Sequence, residues 1–322
     1  MKKRIIPVNK NATKEVCNVL EYLASISGSD IIAGQHTQTM DQKELLYIER
    51  LTGKLPALCG FELLAYSPNI NYDESDEVCL KEVEENKNTL DAALKWANDH
   101  RGLITFTWHW FSPVGGKGKA FYSRHTDFDP RDVLVENSKS RSAFYSDMDH
   151  MAQILMPFKE AGMPIIWRPL HESEGTWFWW GSKGPAVAAE LYKLMFDHFT
   201  GVHALDNLIW VWNCPLREGY VGDEYADIIS VDIYPEKHSH LDFETNYNDL
   251  MMLCGDNKIA ALAEIGVLPD VKKIAHKGIP WSWFMTWSNE FCIGESYSRA
   301  DVMRDVYCAD HTVTLDKLPA LY

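Results

Sequence analysis

The sequence predicts a single (β/α)8 barrel with one helix ahead of its first strand, and three observations carry that reading. Eight short runs rich in β-branched and aromatic residues alternate with longer stretches of 3.6-residue period, from one end of the chain to the other. Several of the short runs, such as LITFTW and LIWVW, are nearly continuously apolar, as a parallel strand buried on both faces requires. No repeat or low-complexity linker divides the 322 residues. The alternation therefore reads as one barrel domain over 1–322, not as an open sheet or two domains.

A helix over Thr13–Ser27 comes first, placed to close the barrel floor. The first strand, Asp30–Gly34, is followed by an amphipathic stretch over Gln42–Leu51. Leu55–Phe61 and Leu103–Trp108 are the next two strands, with the long helical pattern Val78–His100 between them. The fourth strand, Pro164–Leu170, comes after a helix over Ser142–Ala161. Pro185, behind Gly184, suits the first turn of a helix over Pro185–Phe199, where its missing N–H costs nothing. Strands five and six, Asn207–Trp212 and Ile228–Ile233, are joined through Tyr220–Ala226, with room for one turn of helix. Helix Phe243–Cys254, strand Lys258–Glu264, helix Asp270–Ala275 and strand Trp281–Trp287 complete the alternation, and helix Arg299–Cys308 follows. The longest irregular stretch, Phe111–Asn137, carries GGKGK and DFDP after the third strand. Barrel loops of that length on the C-terminal face usually carry function.

Composition narrows the partners. Hydrophobic residues at 46% and charged residues at 24% are those of a globular chain, not a disordered one. The 31 basic and 46 acidic residues leave −15 at pH 7, a field that repels nucleic-acid backbones and anionic lipid. No apolar run spans a bilayer, and the basic start MKKRII lacks the apolar core of a signal peptide. A cytoplasmic location is expected on that ground; a secreted chain trimmed of its leader would look the same. Seven cysteines, odd in number and never spaced C-x-x-C, argue against a disulfide framework and against a zinc site. Twelve tryptophans are many, and eleven lie between Trp108 and Trp287, near strand ends where they suggest an aromatic-lined cleft.

Reactive groups of such a barrel sit where strands end. Carboxylates at those places are Glu62, Glu172, Asp232, Glu264 and Glu290; imidazoles are His36, His109 and His171. Any one of them taken singly reads as a solvated loop charge, but their company is informative. Glu172 sits in IIWRPLHESEGTWFWWG, where a strand delivers Arg168, His171 and Glu172 ahead of three tryptophans. A carboxyl walled by indoles is desolvated, which raises its pKa toward that of a general acid working near neutrality. A structural Glu172–Arg168 pair is the alternative. Glu264 ends KIAALAE next to DIY of the sixth strand, so Tyr234 is placed to hydrogen-bond it and hold it ionised. One dry and one hydrogen-bonded carboxyl among tryptophans describe a glycosidase site. Other chemistries lack their parts. HESEG has no second zinc-binding histidine, GGKGK is no Walker loop, no G-x-S-x-G elbow occurs, and His238 and His240 lie in a polar loop. No metal and no cofactor is expected.

The segment RPLHESEGTWFWWG resembles the acid/base region of glycoside hydrolase family 26, retaining (β/α)8 enzymes dominated by β-mannanases. IIAGQH, GFE, TWHW, NLIWVWN, DIISVDIY, ALAEIG and WSWFMTWSNEF extend the resemblance in order along nearly the whole chain. It implies Glu172 as acid/base and Glu264 as nucleophile. It implies that His109, His171, Trp177, Tyr234 and Trp287 line the sugar subsites, with Arg168 and Asp232 as supporting residues that orient the carboxylates. Two departures are visible: Glu174 stands where members often carry Asn or Gly, and Ser288 where some mannanases carry Arg. The implied activity is endo-β-1,4-mannanase action by a monomer on mannan or glucomannan. Mixed-linkage β-glucan, β-1,3-xylan and a non-catalytic sugar-binding barrel are the alternatives.

Overall fold

The structure, a computed structural model, describes residues 5–38, 41–255 and 258–322. Eight parallel strands close into a barrel: β1 (Ile31–Thr37), β2 (Leu58–Glu62), β3 (Leu103–Thr107), β4 (Ile165–Arg168), β5 (Leu208–Asn213), β6 (Ile228–Ile233), β7 (Ile259–Ile265) and β8 (Trp281–Thr286). Each pairs with its sequence neighbour, and β1 pairs with both β8 and β2 to complete the ring. All eight sit within a few residues of their expected positions. A two-residue strand, β9 (Thr312–Val313), was not anticipated; it pairs with Ile31 and Ile32, where β1 precedes its first contact with β2 at Gly34.

The helices are α1 (Lys14–Ile26), α2 (Lys43–Thr52), α3 (Glu77–Glu85), α4 (Thr89–His100), α5 (Lys139–Glu160), α6 (Pro185–Gly201), α7 (Glu244–Met251), α8 (Val271–Lys277) and α9 (Ala300–Tyr307). The single helix expected over Val78–His100 is two. Asn88 takes a left-handed φ of 64°, and the Asn86 side chain donates to the Glu82 carbonyl at 2.8 Å, ending α3. Asn tolerates that backbone region better than most residues, so ENKN is a local stop signal that helical periodicity overrode. Between β5 and β6 there is no α-helix, only a 3-10 turn at Arg217–Gly219 just ahead of the expected connector. The long loop after β3 holds two further 3-10 turns, Ser123–His125 and Pro130–Leu134.

Helix α1 closes the floor, as its position suggested. Val16, Val19, Leu20 and Leu23 pack against the inward residues Ile32, Leu58, Leu103, Ile166, Ile209 and Ile228. Higher in the lumen, glycine makes room: a Cβ on Gly60 would lie 2.6 Å from Met285 Sδ. The outward residues of β2–β5 and of β6–β8 meet the surrounding helices in two further apolar clusters. No helix among the described residues is long and apolar enough to cross a membrane. Cys17, Cys59, Cys79, Cys214, Cys292 and Cys308 form no disulfide.

Most tryptophans belong to this packing. Nine of them, including Trp108, Trp110, Trp179 and Trp180, are fully buried. Trp108 and Trp110 stack at 4.1 Å, and the Trp179 indole donates to the Trp110 carbonyl at 2.7 Å. The aromatic-lined cleft expected from their number is therefore made by few of them, because β-branched and aromatic runs at strand ends serve the helix-facing side as readily as the lumen.

Candidate active site

The site is built on the C-terminal ends of the strands. Along β6 the inward positions are Ile228, Ser230 and Asp232; along β7, Ala261 points inward and Leu262 outward. Strict alternation would then turn Glu264 away from the lumen. A register shift corrects this: Val231 pairs with Leu262 but Asp232 pairs with Glu264, so β7 bulges at Ala263. The extra residue re-aims Glu264 beside Asp232.

Arg168, at the end of β4, joins the two. Its Nη1 donates to Asp232 Oδ2 at 2.6 Å and its Nη2 to Glu264 Oε2 at 2.7 Å, while Nη2 also reaches Thr107 Oγ1 at 3.2 Å. The Tyr234 hydroxyl donates to the other Glu264 oxygen, Oε1. The expected Tyr234–Glu264 bond is thus present, and Arg168 bonds Asp232 and Glu264 where a pairing with Glu172 was the alternative. Both Glu264 oxygens face donors, the pattern a carboxylate anion needs.

Glu172 is held differently. The chain after β4 passes through left-handed φ angles at Leu170 (50°) and Glu172 (53°), each worth about 1–3 kcal/mol of strain for a residue with a side chain. The Glu172 N–H donates to Asn213 Oδ1 at 2.7 Å, and the Trp180 indole donates to the His171 carbonyl at 2.8 Å, which pins the turn. On the carboxyl itself, Trp177 Nε1–H donates to Oε2 at 2.8 Å. Trp179 and Trp180 stay buried beneath, so one of the three indoles, not all three, contacts the acid. An oxygen from each of Glu172, Asp232 and Glu264 lies within 4.8 Å of the other two.

Three carboxyls around one guanidinium cannot all ionise freely. Burial, with Asp232 nearby, pushes Glu172 up to about 7. Burial and Asp232 likewise push Glu264 up to about 8, opposed by Arg168 and Tyr234. The carboxyls titrate as a set, and the hydrogen bonds decide where a shared proton sits. Glu264 accepts from donors on both oxygens, whereas Glu172 accepts one on Oε2, leaving Oε1 to carry hydrogen. Burial opposes the charge on Arg168, but Asp232 and Glu264 more than offset this and keep it protonated.

Glu62, which ends β2, bonds His109 twice: Oε1 accepts the backbone N–H at 2.9 Å and Oε2 lies 2.7 Å from Nδ1. Burial disfavours the His109 cation, yet Glu62 prevails and raises its pKa. His171, edge-on to His109 at 4.7 Å, is pushed well below the usual range by burial and Arg168, as is His36. His36 stacks on Trp287 at 3.9 Å, holding that indole in place.

A cleft of about 310 Å³ opens here, and His109, His171, Glu172, Tyr234, Glu264 and Trp287 are among the residues that line it. Arg168 and Asp232 lie beneath its floor with side chains 1% exposed, where they hold carboxylates and do not reach the open space. Trp177 stands outside that lining, 45% exposed at the rim. Glu290, a carboxylate singled out in the sequence, is exposed in a 3-10 turn and does not line the cleft; Ser288 is buried and does not either. Glu174 is partly buried, and burial pushes it up to about 7. Sequence reasoning missed Asn213, which donates to Asp232 Oδ1 at 2.8 Å while accepting from Glu172; its place at the end of β5, in NLIWVWN, was the available signal. It also missed Glu82, Asn86, Lys119 and Tyr122, brought to the cleft by α3 and the long loop.

The chain is similar to known proteins along its whole length. It is 34% identical to a mannan endo-1,4-beta-mannosidase of Thermothelomyces thermophilus, over 96% of this chain and 62% of that protein. It is 29% identical to mannan endo-1,4-beta-mannosidase A of Piromyces sp, over 97% of this chain and 50% of that protein. The chain thus spans half to two thirds of the length of these relatives. Among solved structures, a GH26-CBM35 beta-(1,4)-mannanase of Podospora anserina superposes with a TM-score of 0.87 at 33% identity, over 99% of this chain and 70% of that one. A beta-mannanase from a symbiotic protist of the termite Reticulitermes speratus, complexed with gluco-manno-oligosaccharide, superposes at 0.86 with 28% identity, over 98% of both chains. Residues 8–317 match the profile described as glycosyl hydrolase family 26, and with a barrel of that kind carrying its carboxyls at the strand ends, the chain belongs to that family.

Proposed function

We propose that this chain is an endo-β-1,4-mannanase that cleaves mannan and glucomannan with net retention. The observation that carries the mechanism is the mutual approach of Glu172 and Glu264, whose oxygens come within 4.8 Å. Retaining glycosidases hold their carboxyls about 5–5.5 Å apart, and inverting ones leave about 6.5–9.5 Å for a water. Glu264, ionised by Arg168 and Tyr234, attacks the anomeric carbon. Protonated Glu172 gives its hydrogen to the leaving oxygen as that bond breaks. Glu172, now charged, takes a proton from water, which displaces Glu264 and restores both groups. Asp232 keeps Arg168 aimed at Glu264. His109, fixed by Glu62, and His171 offer polar contacts to sugar hydroxyls, while Trp287 and Trp177 offer flat faces to the C–H side of a pyranose ring. Mannan as substrate is supported by relatives described as mannan endo-1,4-beta-mannosidases and by the neighbour that holds a gluco-manno-oligosaccharide.

Reducing-sugar release by purified protein on mannan, glucomannan, lichenan and β-1,3-xylan tests this. Mannan and glucomannan are expected to be cut, with a rapid fall in viscosity that marks internal cleavage. Preference for lichenan or xylan would overturn the substrate, and sugar binding without hydrolysis would make the barrel a binding protein.

A further inference from the structure

A second cluster of donor atoms lies on the outside of the barrel. Helix α5 supplies Asp149, and α6 supplies His198 near its C-terminal end and His203 just past its cap. Both imidazole Nε2 atoms converge on one oxygen: they lie 2.6 and 2.7 Å from Asp149 Oδ1 and 3.3 Å from each other. Side chains five residues apart meet because of how α6 ends. Leu205 N–H reaches back to the Phe199 carbonyl at 2.9 Å and His203 N–H to the His198 carbonyl at 3.3 Å, with Ala204 at φ 49°, so the chain reverses just past the last turn and His203 comes beside His198. The Tyr145 ring packs against the His198 ring at 4.8 Å and restrains it. The two histidine side chains are 12% and 19% exposed and Asp149 is 50% exposed, so the cluster is ordered on one side and open to solvent on the other. Since α6 ends where the chain returns to the start of β5, this cluster sits at the opposite end of the barrel from Glu172 and Glu264.

We propose that Asp149, His198 and His203 bind one divalent transition-metal ion of the zinc, copper or nickel class, with water completing its shell. Tetrahedral bonds of about 2.0–2.1 Å place two ligating nitrogens about 3.3 Å apart, which is the Nε2–Nε2 separation here. The same geometry asks the carboxylate oxygen to retreat by about 0.6 Å, a movement open to a half-exposed side chain. Two imidazoles and one carboxylate select such ions over calcium or magnesium, which prefer oxygen shells. The carbonyl end of a 17-residue helix adds a favourable negative potential.

Calorimetric titration of the EDTA-stripped chain with zinc chloride at neutral pH should show one ion per chain and a raised Tm. Calcium and magnesium should give neither. Cu2+ loaded in zinc's place should show superhyperfine splitting from two nitrogens in its EPR spectrum. His198→Gln with His203→Gln should abolish stoichiometric binding. If that pair does not fold, Asp149→Asn decides: its affinity should fall by more than the roughly 10–100-fold that loss of an outer-shell partner costs. Absence of one-to-one binding overturns the proposal. So does binding that survives these substitutions, because the ion would then sit elsewhere, for example among Glu172, Asp232 and Glu264. A copper spectrum without the two nitrogens has the same consequence.

Discussion

The Trp177 indole N–H donates to Glu172 Oε2 at 2.8 Å, so the side chain that presents a flat face at the rim of the cleft also holds the proposed acid. Trp177→Phe keeps much of that face and removes the donor. The donor favours the charged form of Glu172, so its loss should raise the Glu172 pKa above about 7 and move the alkaline limb of kcat/KM to higher pH. Trp177→Ala removes both functions. A stacking face and a hydrogen bond at about 1 kcal/mol each predict roughly a 30-fold loss of kcat/KM with the barrel still folded. Normal kinetics with a much lower Tm would make Trp177 a packing residue instead.

Glu264 and Glu172 should fail in different ways. Glu264→Ala should be almost inactive on every substrate, since no covalent intermediate can form. Glu172→Ala should lose about 10²–10⁴-fold on mannan and be partly spared on an aryl mannoside whose leaving group needs no protonation. Azide should speed that variant and yield a β-linked azide, and wild-type protein should release β-configured product first by proton NMR. An initial α product, or a β-linked azide from Glu264→Ala, would mean reversed roles or a different mechanism.

Raised carboxyl pKa values make stability fall as pH rises. Burial pushes Asp147 and Asp227 up to about 6 and Glu174 to about 7, so the folded chain holds protons that the unfolded chain has already released. Their contribution is fully present below about pH 4 and is lost as pH climbs through 6 to 7. Burying His36 and His171 uncharged acts in the opposite sense below about pH 6.5, so Tm should be higher at pH 6.5 than at pH 8. Glu174→Gln removes one such charge and should raise Tm at pH 8 by a few degrees with little change at pH 5, a gain on the order of 1–3 kcal/mol. A Tm that rises from about pH 6.5 to pH 8 would contradict this.

Asn213 ties the backbone of Glu172 to the carboxyl of Asp232. Asn213→Ala leaves a buried N–H and a buried carboxylate oxygen each short of a partner, a cost of about 1–3 kcal/mol in stability. It should lower kcat about 10–100-fold with KM little changed, because the acid moves and the sugar contacts do not. A proportional rise in KM at constant kcat would place Asn213 in substrate binding.

The eight strands and their order were legible because burial on both faces writes itself into local composition, and LITFTW can be read without its partners. The resemblance around HESEGTWFWWG and ALAEIG was equally local, and it pointed to Glu172 and Glu264, whose oxygens lie within 4.8 Å of each other. The break at Asn86–Asn88 was local as well, but helical periodicity on either side masked it.

Other relations depend on how strands lie against one another. Alternation along KIAALAE turns Glu264 outward, and only the β6–β7 register with its bulge at Ala263 brings it back beside Asp232. Whether Arg168 serves Glu172 or bridges Asp232 and Glu264 is settled by side chains from three separate strands. The same holds for Asn213 under Glu172, Glu62 behind His109, and the choice of which indoles face the cleft. Residue types and their order along the chain therefore determined the barrel and the candidate chemistry. Register, shear and loop closure decided which oxygens meet, because contacts between residues far apart in sequence depend on the whole ring closing, and no short segment contains that information.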